Sequence, residues 1–479
     1  MKWASRRVDG TIGLSDRDTS PRGRIPAEPP AFLAIFDGMS QLRARFRSID
    51  DNSIFHELEE VVYDHEGSLL EVHHDLAPLA ERTPGDWKQL FGGRAGAMDL
   101  PDRSGVWGKK EWVLPQIPDD HIVSLAEGWN PLLPSPRTAA RLGLSDLRLK
   151  LCGTTHTGSF KDLGMTVLVS WVNHLRRTGA PIRAVACAST GDTSAALAAY
   201  AAAAGIPAIV FLPADKVSLA QLIQPVANGA HVLALDTDFD GCMKVVQELT
   251  QDKTIYLANS KNSLRVEGQK TVAIETVQQL RWTAPDWFVI PGGNLGNVSA
   301  LAKGLDMMYD LGLLTGKRPR IAVAQAAAAD PLVKSFEKGL APLEPQTART
   351  TLASAIRIGN PVSFPKAIEA LKKYDGVAES VSEDRLSDAA AHGDLEGFYH
   401  CPHTGVALGA LEQLVEKGVI EKDSRVVVVS TAHGLKFSEF KTGYHEGKLD
   451  GVQSRIANRV QRIAPTYAAV QDALKARLG

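Results

Sequence analysis

Short apolar runs that alternate with helical segments from about Arg183 onward limit what this chain can fold into more than any other feature. "RAVACA" (183–188) has the unbroken apolar character of a buried strand, and "TSAALAAYAAAAG" is a helix ended by Gly205. "PAIVFL", "HVLALD" and "IYLAN" repeat the strand; "LAQLIQPVANGA", ending near Gly229, and "FDGCMKVVQELTQD" repeat the helix. Farther on, "WFVIPGG", "RIAVAQA" and "SRVVVVST" are again short apolar strands with helical patterns between them. Strands without polar alternation are covered on both faces, and the intervening helices do the covering. The pattern predicts an α/β fold of parallel sheets wrapped by helices. The stretch up to about residue 110 lacks the alternation and reads as an extension with helical and irregular parts. Its first ~30 residues are polar and read as a disordered tail, without the apolar segment of a secretory signal.

A chain of 479 residues has room for two or three domains. A formal net charge of −2 gives no electrostatic footprint for nucleic acid or an anionic membrane. Cys152, Cys187, Cys242 and Cys401 are scattered without a C-x-x-C pair, so the expectation is a reduced, cytoplasmic protein with no disulfide framework or zinc site. No apolar run is long enough to span a bilayer. "HEGSLLEVHHD" (His65, Glu66, His73, His74, Asp75) lacks H-E-x-x-H and reads as solvated surface rather than a metal site.

In open α/β sheets, ligands bind on the loops that leave the carboxyl ends of the strands. Three loops are unusual. In "THTGSFKDLGM" (155–165), Ser159 and Asp162 form a capping-box pattern that places Lys161 in a first helical turn. A helix N-terminus disfavours an ammonium, so Lys161 suits work as a neutral amine. In "ASTGDTSAAL" (188–197), Ser189, Thr190, Gly191 and Thr193 offer hydroxyls and backbone N–H groups to a carboxylate or phosphate. In "PGGNLGNVSA" (291–300), Gly292, Gly293 and Gly296 let the backbone approach an anion, with phosphate the natural guest. A lysine amine, a phosphate cup and a carboxylate cup together describe pyridoxal phosphate chemistry on an amino acid.

"HTGSFKDLGM", "ASTGDTSAAL", "NSKNSLRVEGQKT", "IPGGNLGN", "CPHTGVAL" and "VVVVSTAHGLKF", in this order, resemble threonine synthases of the branch typified by plant enzymes. The resemblance runs from about residue 55 to about residue 445. It implies a fold-type II (tryptophan synthase β-like) pyridoxal 5′-phosphate enzyme, a carbon–oxygen lyase acting on phosphates. Such an enzyme converts O-phospho-L-homoserine and water into L-threonine and phosphate. It implies a large domain from 111–179 and 265–479, a small mobile domain from 180–264, and a homodimer. By resemblance, Lys161 is the Schiff-base lysine and proton shuttle. Gly292, Gly293, Asn294, Leu295, Gly296 and Asn297 cradle the cofactor phosphate, and Thr431 meets the ring nitrogen. Ser189, Thr190, Gly191 and Thr193 hold the substrate carboxylate and nearby groups, and Ser260 and Arg265 bind the substrate phosphate. Asp192, where most fold-type II relatives carry asparagine, faces the cofactor's 3′-oxygen or, on the plainer reading, only caps its helix. Two other readings stay open: a serine or threonine dehydratase of the same fold, disfavoured by the Ser260/Arg265 pair, and a non-catalytic ligand sensor, disfavoured by Lys161.

Overall fold

The structure, a computed structural model, describes residues 42–214 and 219–478. The expected disordered tail lies outside the described residues. The described strands are β1 (Ala44–Ser48), β2 (Phe55–His56), β3 (Asp64–His65), β4 (Ser68–His74), β5 (Leu132–Pro134), β6 (Asp146–Leu151), β7 (Ala184–Ala188), β8 (Ala208–Pro213), β9 (His231–Leu235), β10 (Ile255–Leu257), β11 (Trp287–Pro291), β12 (Arg320–Ala326), β13 (Val377–Val381) and β14 (Arg425–Ser430). They form three sheets, ordered β2-β1-β4-β3, β10-β7-β8-β9 and β13-β12-β11-β14-β6-β5. Every neighbouring pair in the second sheet is parallel, and so is every pair in the third except β5 with β6.

The two parallel sheets follow the predicted alternation, and each strand quoted above falls within β7–β12 or β14. Three strands of the third sheet escaped that reading, two because they carry charge and one because it is short. In β6, "DLRLKL", Lys150 is fully buried, with its ammonium 2.8 Å from the Glu275 carboxylate and 2.8 Å from Asn130 O. In β13, "VAESV", Glu379 accepts from Gln413 Nε2 at 2.7 Å and from Lys417 Nζ. The third, β5, is a three-residue edge strand.

The extension differs from the expectation. Residues 44–74 build an antiparallel sheet, and the helices Leu76–Ala80 and Pro84–Arg94 follow it. Alternation by two is the cause: Ala44, Phe46 and Ser48 of β1 and Leu70, Val72 and His74 of β4 point inward, and their neighbours point out. Glu66 (φ 50°) and Gly67 (φ 89°) both lie in the left-handed region and turn β3 into β4. "HEGSLLEVHHD" is therefore a hairpin. Its His74 is not solvated surface: it is 6% exposed and bonded to Glu267.

Candidate active site

Two helices that cross with glycine at the contact set the site. A Cβ on Gly268, in helix Leu264–Gln269, would stand 1.6 Å from Leu163 O, and one on Gly164, in helix Lys161–Arg177, 2.7 Å from Arg265 O. This backbone-to-backbone approach brings Lys161, the first residue of one helix, and Arg265, the second of the other, to the wall of one cavity. Asp192, Ser260, Gly293, Asn294, Leu295, Gly296, Asn297 and Thr431 line the same cavity. Thr193 reaches it indirectly, its Oγ1 accepting from Arg265 Nη2 at 3.4 Å. Ser189, Thr190, Gly191 and Gly292 are not among the lining residues. The first three lie between β7 and helix Asp192–Ala203, and Gly292 follows β11.

Lys161 is surrounded by protein except where it meets the cavity, and its amine lies 4.4 Å from the centroid of the Phe160 ring. Burial and then the Arg265 cation draw its pKa down to about 7, with Asp192 opposing. The helix N-terminus acts in the same direction as burial. The amine is thus available unprotonated near neutrality. Arg265 is itself lowered to about 10 by burial, and remains a cation at physiological pH.

The capping box expected from Ser159 and Asp162 does not form. Phe160 is the N-cap and makes no side-chain bond, and Ser159 Oγ only accepts from Lys161 N at 3.4 Å. A fully buried carboxylate needs donors, and Asp162 finds two on one residue. It accepts Thr157 N at 2.7 Å and the Thr157 hydroxyl. Burial still pushes Asp162 up to about 6 against those bonds. The loop so fixed offers Thr157 O to Lys436 Nζ at 2.9 Å and Gln224 Nε2 at 3.1 Å. Lys436 also stands 3.4 Å from the Asp192 carboxylate.

The glycine-rich loop works differently from the sequence reading. None of Gly292, Gly293 and Gly296 has positive φ. The left-handed residue is Leu295 (φ 64°), buried at the start of helix Gly296–Asp310. Gly292 and Gly293 are required by packing instead, since added Cβ atoms would meet Val323 Cγ1 at 2.6 Å and Ile356 Cα at 3.0 Å. The first N–H groups of the helix have no intrahelical acceptor and start at the cavity wall. Two buried side-chain donors on that wall, Arg265 Nε and Asn297 Nδ2, have no hydrogen-bond partner among the described residues. Such donors call for an anion. With the neutral Lys161 amine and the Thr431 hydroxyl, they fit the phosphate, carbonyl and ring nitrogen of pyridoxal phosphate.

Several lining residues were not singled out as site residues from sequence. His403 lines the cavity and its Nε2 accepts from Ala355 N at 3.0 Å. Ala355 and Ile356, in the 3-10 turn Ser354–Ile356, and Ile358 just beyond it come from a stretch with no pattern that would announce them. His403 and Lys436 sit inside quoted motifs, but only the fold shows what they face. His156 is exposed, and His433 Nδ1 accepts from Leu435 N at 3.2 Å.

A family model described as "Pyridoxal-phosphate dependent enzyme" matches residues 123–432. The chain is 53% identical over 421 residues to "Threonine synthase 2, chloroplastic" of Arabidopsis thaliana, covering 87% of this chain and 81% of that protein. It is 38% identical to the threonine synthase of Methanocaldococcus jannaschii over 80% of this chain and 90% of that one. Among solved structures, the threonine synthase of Escherichia coli superposes with a TM-score of 0.65 at 20% identity, over 90% of this chain and 99% of that chain. A maize serine racemase superposes at 0.54 with 19% identity, over 64% of this chain and 89% of that chain, a likeness of fold. With these relatives and this cavity, the chain belongs to the threonine synthases, a family of pyridoxal-phosphate-dependent enzymes of fold type II.

Proposed function

We propose that the protein converts O-phospho-L-homoserine and water into L-threonine and phosphate. The observation that carries this reading is a neutral lysine amine sharing one cavity with two anion-seeking features, the Gly293–Asn297 helix start and the buried Arg265 beside Ser260. One serves the cofactor phosphate and the other the substrate phosphate. A serine or threonine dehydratase, whose substrate carries no phosphate, has no use for the second.

Lys161 Nζ would hold the cofactor at its carbonyl carbon, and Gly293, Asn294, Leu295, Gly296 and Asn297 would receive its phosphate, with Gly292 setting the loop. Thr431, on the cavity wall, would meet the ring nitrogen. When bound, the ring supplies an acceptor for electron density released at the substrate's α-carbon. With substrate bound, Lys161 Nζ would take the Cα proton and later a Cβ proton, and would return protons as water adds. Ser189, Thr190, Gly191 and Thr193, outside the cavity wall as it stands, would hold the substrate carboxylate from the start of helix Asp192–Ala203 once the segment that carries them closes. Ser260 and Arg265 hold the phosphate that leaves Cγ, Arg265 through a planar fork suited to two oxygens.

The segment 180–264, which carries the second sheet, closes as a small domain on the rest when substrate binds. The working unit is a homodimer. Four free, buried cysteines suit a reducing compartment such as the cytoplasm. The purified protein, given O-phosphohomoserine, is expected to release threonine and phosphate in equal amounts and to leave serine and threonine intact. Release of ammonia from serine or threonine without phosphate turnover establishes the dehydratase reading instead.

A further inference from the structure

Behind Thr431 lies a closed group of polar side chains that the proposed chemistry leaves unused. Cys401 precedes helix Pro402–Glu416, and its Sγ caps that helix by accepting from Thr404 N at 3.4 Å. Thr404 Oγ1 lies 3.2 Å from Cys401 Sγ and 3.2 Å from Ser430 Oγ, and accepts from Thr431 N at 3.3 Å. Cys401 Sγ is 3.8 Å from Thr431 Oγ1. The His403 ring, whose Nε2 lies 3.0 Å from Ala355 N, stands beside the sulfur. Cys401 and Thr404 are fully buried, and Thr431 is 5% exposed.

The sulfur therefore collects an N–H, an imidazole and two hydroxyls at a helix N-terminus, the surroundings that favour a thiolate. Burial alone would raise the Cys401 thiol. The His403 ring and the bonds from His403 and Thr404 outweigh burial and bring it down to about 7. The other charged or titratable neighbours agree or stand aside. Lys441, from helix Ser438–Glu446 and paired with Asp394, feels Cys401 as a negative neighbour. His400 is held neutral, with burial taking it down to about 3. Burial pushes Cys152 and Cys187 the opposite way, to about 12, and raises Cys242.

A thiolate accepts the Thr431 proton and leaves the lone pairs of Oγ1 toward the cavity. A thiol gives its own proton to the hydroxyl group and frees the Thr431 proton for the cavity. We propose that Cys401 is a positioning residue that sets the direction of the Thr431 hydroxyl, and with it whether the site offers the cofactor's ring nitrogen a donor or an acceptor. The last clause rests on the proposed function; the coupling of Cys401 to Thr431 does not.

The test begins with the full chain freed of cofactor. Thiolate ultraviolet absorbance is titrated across neutrality in the parent, Cys401→Ser and Thr431→Val. The parent is expected to show one thiolate with a midpoint near 7, absent in Cys401→Ser. In Thr431→Val the midpoint rises by about half a unit, because a donor to the sulfur is gone. With pyridoxal phosphate restored, the parent's visible absorption changes with that same midpoint and that of Cys401→Ser does not. Absence of a Cys401 thiolate, or a midpoint unmoved by Thr431→Val, overturns the coupling even where Cys401→Ser fails to fold. A common pH response of the cofactor in parent and Cys401→Ser overturns the effect on the ring nitrogen. The cofactor-free arms give the same answer whatever reaction the enzyme performs, so their failure is separable from failure of the functional reading.

Discussion

Glu267 joins the N-terminal sheet to the helix that carries Arg265, and its replacement by glutamine is expected to weaken both. Its Oε2 accepts from His74 Nε2 at 2.7 Å and from Lys270 Nζ at 2.5 Å, and its Oε1 pairs with Lys303. Glu267 and Lys270 are both 0% exposed. Burial would raise the Glu267 carboxyl, but Lys270 and Lys303 hold it far below the usual carboxylate range. Glutamine keeps the size and one acceptor, removes the charge, and turns an NH₂ toward a lysine. Breaking a buried pair in this way costs about 3–5 kcal/mol, roughly a hundredfold to several thousandfold in the folding equilibrium. The assay is urea unfolding followed by fluorescence of the buried Trp87, Trp107 and Trp112. Glu267→Gln combined with Lys270→Met is expected to recover a good part of the loss, because the stranded cation is then gone as well. A single variant within about 1 kcal/mol of the parent, or a double variant less stable than the single one, refutes this account of the cluster.

The same cluster gives a pH dependence with a definite sign. Burial, then Lys270, takes His74 from 6.5 down to about 4, against the pull of Glu267. In that window the unfolded chain binds the proton and the folded chain does not, so stability rises with pH and is lost on acidification. The unfolding midpoint of the parent is therefore expected to fall as pH drops through this window, and less so in His74→Gln.

Gly268→Ala forces the two crossing helices apart, since its Cβ would sit 1.6 Å from Leu163 O. Overpacking of this kind costs about 1–3 kcal/mol, and threonine formation is expected to fall further than stability accounts for because Lys161 and Arg265 separate. Lys161→Ala is expected to abolish both threonine formation and the visible absorption of bound cofactor; a variant that keeps turnover removes Lys161 from its assigned role. Arg265→Ala is expected to weaken productive use of O-phosphohomoserine by about 2–4 kcal/mol while cofactor affinity stays near the parent's. An equal loss of cofactor affinity assigns Arg265 to the cofactor phosphate.

Where side chains are uniformly apolar the strands could be read directly, as for "RAVACA" and "SRVVVVST", because burial on both faces leaves one interpretation. Where a buried strand carries a charge, sequence gives no hint that a partner waits elsewhere: Lys150 finds Glu275, which lies 125 positions away. His74 and Glu267 are 193 positions apart, and only their meeting turns a polar-looking hairpin into the closed end of a buried network. The cavity was legible in part through its loops: Lys161, Asp192 and Gly293–Asn297 reach it, whereas Ser189, Thr190 and Gly191 do not line it. Small and hydroxylic residues after a strand have few purposes, and an anion site is one. The mechanism by which those loops hold their shape was not legible. Leu295 rather than a glycine takes the left-handed conformation, and Asp162 caps Thr157 rather than its own helix.

Asp192 shows what the fold adds to a sequence expectation. Its carboxylate lines the cavity with the Lys161 amine, and Lys436 reaches to 3.4 Å of it from the turn after β14. Lys436 also binds Thr157 O, in the loop that leads to Lys161, and Gln224, on helix Leu219–Ala227. Asp192 thus has a counter-ion that an uncharged cap would not need. A carboxylate can only accept, so a hydrogen bond to the cofactor's 3′-oxygen requires the proton to be shared from that oxygen, whereas an asparagine amide would donate. Asp192→Asn is accordingly expected to move the absorption of bound cofactor to longer wavelength and alter its pH dependence. The charge makes a second difference that needs no cofactor in place. Asp192 opposes burial and Arg265 at Lys161, so its neutralisation draws the lysine below its present value of about 7. The rate at which cofactor-free protein captures pyridoxal phosphate tracks the neutral amine, and its midpoint is expected to fall in Asp192→Asn. A variant with both the spectrum and the capture midpoint of the parent shows that the carboxylate serves Lys436 and the helix start alone.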